Sequence, residues 1–97
     1  MNTMRTMLKF KVPVEKGNEA FKDGTLASTI QSLIQKLEPE AAYFGPSEGE
    51  RAGFLIFDMN DSSQIPVIAE SLFANLHAKV EFGPVMNADD LKKGLSQ

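Results

Sequence analysis

The 97-residue sequence has no cysteine, a single histidine and no excess of basic charge. The missing cysteine excludes disulfides, thiolate metal sites and cysteine nucleophiles. One histidine, His77, rules out a multi-histidine metal site, and the carboxylates show no metal-loop spacing. No metal, haem or other cofactor is therefore expected. Ten Lys and Arg stand against thirteen Asp and Glu, for a net charge of -3 and a pI near 5.0. Nucleic acid and anionic membranes are held largely by basic charge, so neither is expected as a partner. No stretch approaches the ~18 consecutive apolar residues of a membrane span. Met1 to Arg5 lacks the apolar run of a signal peptide. The expectation is a soluble, cytoplasmic protein.

What is present is enough for a core. Apolar residues make up 42% of the chain, and the length suits one domain over residues 1–97. Met4 to Val12 reads as a strand, with Thr6, Leu8, Phe10 and Val12 on one face and Arg5, Met7, Lys9 and Lys11 on the other. Pro13 ends its ladder. Leu26, Ile30, Leu33, Ile34 and Leu37 follow at helical spacing. Asn18 is the expected N-cap of that segment, with an irregular first part around Gly24. Glu38-Pro39 stops it. Ala41 to Gly45 and Arg51 to Met59 read as a hairpin across the turn-forming residues 46–50.

Ile65, Ile68, Ala69, Leu72, Phe73 and Leu76 mark a second helical stripe after the capping residues Asp61, Ser62 and Ser63. Pro66 is tolerable in its first turn. Ala78 to Val85 is the last strand, with Val80 and Phe82 on one face and Lys79, Glu81 and Gly83 on the other. Asn87 caps a short terminal helix, whose early Asp89 and Asp90 and late Lys92 and Lys93 suit its dipole. Met86 is expected to staple onto Leu91 across that cap.

The order β-α-β-β-α-β with a tail helix is the ferredoxin-like plan, an α+β fold with helices on one face of a four-stranded antiparallel sheet. The third strand is apolar on both faces. Phe54 and Ile56 point one way, Leu55 and Phe57 the other. Leu55 and Phe57 are assigned to the face away from the helices, together with Met7. A chain this short covers only one face of such a sheet, and the expected second cover is another copy of itself.

Across nearly its whole length the chain resembles the dimeric α/β-barrel group, in which two ferredoxin-like sheets pack face to face. The segments carrying the likeness are Y-F-G-P-S-E-G-E-R-A-G-F-L-I-F-D-M and A-K-V-E-F-G-P-V-M-N-A-D-D-L. The resemblance is strongest to small uncharacterised bacterial proteins of that group. The group includes muconolactone isomerases, cofactor-independent monooxygenases, haem enzymes and binding domains, so the resemblance implies a homodimer without selecting an activity.

Other owners of this plan fit less well. RNA-recognition domains read K/R-G-F/Y-G/A-F-V-x-F/Y on their third strand. Gly53-Phe54-Leu55-Ile56-Phe57 matches only the second half, and core packing accounts for these phenylalanines. Metal chaperones need C-x-x-C. Acylphosphatases need an arginine in the loop after strand one, and residues 13–18 have none.

The candidate chemistry is sparse. Lys9 and Glu81 fall on neighbouring strands and the same uncovered face. Partial burial there would move their pKa values toward neutrality and suit proton transfer; the plainer reading is a rim ion pair. His77, near the end of the second helical stripe, is either a general base or a residue placed for the helix dipole. Tyr43 and Asp58 could add polar groups to a pocket. Met7, Met59 and Met86 suit adaptable packing. Met7, Lys9, Leu55 and Phe57 are the candidate ligand-binding residues. The functional expectation is a homodimer that binds a small, partly apolar ligand at the barrel or between sheet and helices. The alternatives are a cofactor-independent isomerase or monooxygenase-like enzyme, and a purely structural or regulatory dimer.

Overall fold

The computed structural model describes residues 3–97, so the first two residues of the segment read above for a leader lie outside it. The elements are β1 (Met4–Val12), α1 (Val14–Asp23), α2 (Thr25–Leu37), β2 (Ala41–Ser47), β3 (Glu50–Met59), α3 (Gln64–Leu76), β4 (Lys79–Pro84) and α4 (Ala88–Leu95). The strands form one antiparallel sheet in the order β2-β3-β1-β4. This is the ferredoxin-like arrangement, with the two longest strands at the centre.

The first helical segment differs from the expected one. It is two helices divided at Gly24, whose φ of 84° is left-handed and costs glycine little. Asp23 turns the corner by accepting from the backbone N–H of Thr25 at 2.8 Å. The N-cap is Pro13 rather than Asn18, which lies inside α1. A second difference is the β2–β3 connection, where Ser47 pairs with Glu50 and leaves a two-residue turn. Glu48 and Gly49 both take positive φ, as the right-handed twist of a tight hairpin demands.

The helix side of the sheet carries the core. Leu8, Phe10 and Val12 of β1 meet Leu55 and Phe57 of β3, and α2 and α3 lay Leu33, Leu37, Ile68, Leu72 and Leu76 over them. Leu8, Leu55, Leu72 and Leu76 are fully buried, and each contributes roughly 1.5–3 kcal/mol of burial.

This corrects the facing assigned to β3. Leu55 and Phe57 point to the helices, at 0% and 1% exposure, and Phe54 and Ile56 point to the open side. The physical reason is the register of β1 against β3: Leu8 stands opposite Leu55, and Phe10 opposite Gly53. Opposed residues of an antiparallel pair share a face, and a Cβ on Gly53 would lie 2.5 Å from the Phe10 ring. The ring therefore occupies the space that only a glycine leaves free.

At the carboxyl end α4 buries no residue. Its first turn carries the reciprocal cap, in which the Asn87 side chain accepts from the Asp90 N–H at 2.8 Å and Asp90 Oδ2 accepts from the Asn87 N–H. Arg5 fastens this helix to the sheet, its Nη1 donating to Asp90 Oδ2 at 2.8 Å and its Nε to Glu40 Oε1 at 2.7 Å. The two carboxylates hold the Arg5 guanidinium above its ordinary pKa, chiefly through the Glu40 hydrogen bond. The molecule is long for its size: 50 × 28 × 17 Å, with a radius of gyration of 14.7 Å against roughly 12.5 Å expected for this length.

Candidate functional site

Two surfaces hold the residues with chemical potential. The first is the open face of the sheet. The register aligns Tyr43, Phe54, Lys9 and Glu81 in one row across all four strands. Lys9 and Glu81 are thus neighbours, whereas Tyr43 lies at the far end of the row, roughly 14 Å from Glu81 at ordinary strand spacing. The next row is Ala41, Ile56, Met7 and Gly83, which is entirely apolar. Met7, Phe54 and Ile56 are half-buried, and Tyr43 is 69% exposed.

Within the polar row Lys9 sits between an aromatic and an acid. Its Nζ lies 5.7 Å from the centre of the Phe54 ring, within cation–π range. Lys9 and Glu81 stand directly opposite each other, as their strand positions predict, yet their charged ends form no ion pair. A polar cavity of about 320 Å³ lies beside them, lined also by Lys11, Lys79 and Glu48. Lys11 of β1 is paired with Glu48 in the β2–β3 turn. Asp58 faces the open side too, opposite Arg5.

The second surface is an apolar groove on the helix side, between α2 and the edge strand β2. Leu26 and Ile30 form one wall, Phe44 and Pro46 the other, and Phe10 and Val12 the floor. It measures about 350 Å³, within the usual range for small-ligand sites. Arg51 also lines it. Sequence reasoning did not single out Arg51. The signal was available in its phase: it alternates with Gly53, Leu55 and Phe57, so it is the one charge of β3 on the covered face.

The remaining candidates lie elsewhere. His77 is exposed and caps α3 from a left-handed position, φ 52°, its N–H bonding to the Phe73 carbonyl at 2.9 Å. That placement is a helix-stop role, outside the polar row. Leu55 and Phe57 are core residues with no access to either surface. Met59 packs against the core, while Met86 is 67% exposed. Among the described residues, no three His, Cys, Asp or Glu side chains gather as a metal site would, and no helix is long and apolar enough to cross a membrane.

No family model matches the chain, and no curated protein matches it in sequence. Among solved structures it is similar to an uncharacterised protein from Thermotoga maritima. That likeness has a TM-score of 0.61 at 15% identity and covers 88% of this chain and 100% of the other. At that identity the likeness is one of fold. It establishes a small antiparallel α+β domain of ferredoxin-like plan.

Proposed function

We propose that the chain is a homodimeric binding protein, in which two open sheet faces pack together and each copy takes a small, partly apolar ligand. The observation that carries this reading is the uncovered apolar row Ala41–Ile56–Met7–Gly83, flanked by Phe54. All three covering helices lie on the opposite face. Apolar surface at the middle of a sheet is stabilised by removal from water, at roughly 25 cal/mol per Å². A two-fold contact buries the same patch on both copies at once. The sequence expectation of a dimer rests on Leu55 and Phe57 and falls with their facing; the dimer proposed here stands instead on the other phase of β3, which is also apolar. The interface residues become Phe54, Ile56 and Met7 in place of Leu55 and Phe57.

A further support is α4. Its Leu91 and Leu95 are 46% and 77% exposed, and the helix is rooted through Asp90 on Arg5, a residue of the open face. The helix that carries these exposed leucines is therefore anchored on a residue of the face proposed to meet the second copy. For the ligand, the groove between α2 and β2 supplies the apolar walls. The test of the assembly is solution mass, with Phe54→Asp as the separating variant. The result expected is a dimer for the natural sequence and a folded monomer for the variant.

A further inference from the structure

We infer that the groove between α2 and β2 takes a small monocarboxylate with an apolar chain, its carboxylate seated on Arg51 and its chain lying between Ile30 and Phe44. This rests on the ligand-binding reading above and specifies its chemistry. The floor and walls present almost only carbon: Phe10, Val12, Leu26, Ile30 and Phe44. An occupant of that volume must be mainly apolar. The one charged side chain on its lining is the Arg51 guanidinium.

Arg51 lies against α1. One of its nitrogens, Nη1, lies 2.6 Å from where a Cβ on Gly17 would stand, so the guanidinium rests on the bare backbone of residue 17. Its Nη2 donates to the Asn18 side-chain oxygen at 3.1 Å. That partner is neutral. Among the described residues, Arg51 forms no ion pair, whereas Arg5 on the other face forms two. A guanidinium carries five donors in a planar fork that matches a carboxylate bidentately. Here one donor bonds to Asn18 and, among the described residues, the rest of that fork has no protein acceptor, on the lining of an apolar groove.

A second apolar cavity provides the contrast. It is of similar size, about 370 Å³, and lies at the opposite end of the sheet between Met4, Met59 and Ile65. Among the described residues, its one charged lining residue is Asp61. Charge complementarity therefore sends an apolar anion to the Arg51 groove and away from this second cavity.

The test is a titration of the natural protein with octanoate, octan-1-ol and octylammonium, followed by backbone amide shifts. The expected result is shifts at Gly45 and Ala52, with octanoate bound at least about tenfold tighter than octanol, as one charge-assisted head-group contact implies, and octylammonium bound most weakly. Arg51→Gln should abolish the preference for octanoate over octanol. If that variant does not fold, the order of the three ligands on the natural protein still decides. Octanol binding as tightly as octanoate in the groove overturns the carboxylate assignment and leaves a neutral-ligand site. Shifts confined to Met59 and Ile65 overturn it as well. No binding of any of the three removes the ligand-binding reading along with it.

Discussion

Gly53 stands directly opposite Phe10 in the β1–β3 ladder, and the Phe10 ring lies over the glycine's bare Cα. The pair sets the phase of the whole central sheet. Because the ring needs that space, residues 53, 55 and 57 must all face the helices, and residues 54 and 56 must all face away. The open face, the groove and the position of Arg51 follow from it.

Gly53→Ala is therefore expected to destabilise the protein by about 1–3 kcal/mol, the usual range for forcing extra volume into a packed core. The added methyl would meet Phe10 at 2.5 Å and Phe44 at 3.1 Å. Denaturant unfolding should show a lower midpoint. A double change, Gly53→Ala with Phe10→Leu, should lose less than the two single losses combined, since the clash is gone.

The two faces of β3 should respond differently to the same charge. Phe57→Asp puts a carboxylate among Leu8, Leu72 and their neighbours, where the lost burial alone costs at least about 3 kcal/mol. That variant should unfold at room temperature or come close to it. Phe54→Asp lies on the half-buried open face and should keep its circular dichroism spectrum. Equal loss of structure in both would contradict the facing described here.

The strand order, the helix side of β1 and the capping of α4 were legible in the sequence. Each rests on a one-sided signal: Leu8, Phe10 and Val12 alternate with lysines, and Asn87 with Asp90 is a local cap. The facing of β3 was not legible from its own alternation, because both phases are apolar. Only the pairing with β1, a contact between residues more than forty positions apart, resolves it. The row Tyr43–Phe54–Lys9–Glu81 was half legible. Lys9 and Glu81 follow from strand order, whereas Tyr43 required the exact hairpin register. The break at Gly24 was read as a cost inside one helix, when the chain uses it to start a second. Arg51 was overlooked because its phase was inverted along with that of Leu55.

His77 tests whether the lone histidine serves structure or chemistry. It ends α3 in the left-handed region, where a side chain costs about 1–2 kcal/mol and glycine does not. His77→Gly should raise stability by about 1 kcal/mol, or roughly 4–8 °C in Tm for a domain of this size. A fall in Tm would mean that the imidazole makes a contact this account gives it no part in.

Acid sensitivity should come partly from two turn carboxylates. Ser63 holds Asp61 below its ordinary value, mainly through its backbone N–H at 2.8 Å and then its side chain. Thr25 does the same for Asp23, through its side chain first and its backbone N–H second. Both pKa values are depressed on folding. Their stabilisation is therefore full above the unfolded value near 3.8 and is lost as pH falls through the folded one. Carboxyl titration by NMR should give midpoints below 3.8 for both. Midpoints at or above that value would remove these turns from the acid limb.

The most direct test of the central claim is sedimentation equilibrium of the natural protein at micromolar concentration. The expected mass is that of two 10.7 kDa chains, falling to one chain on Phe54→Asp with the fold retained. A single-chain mass for the natural sequence across that range would contradict it, leaving Met7, Phe54 and Ile56 exposed to water with no second copy to cover them.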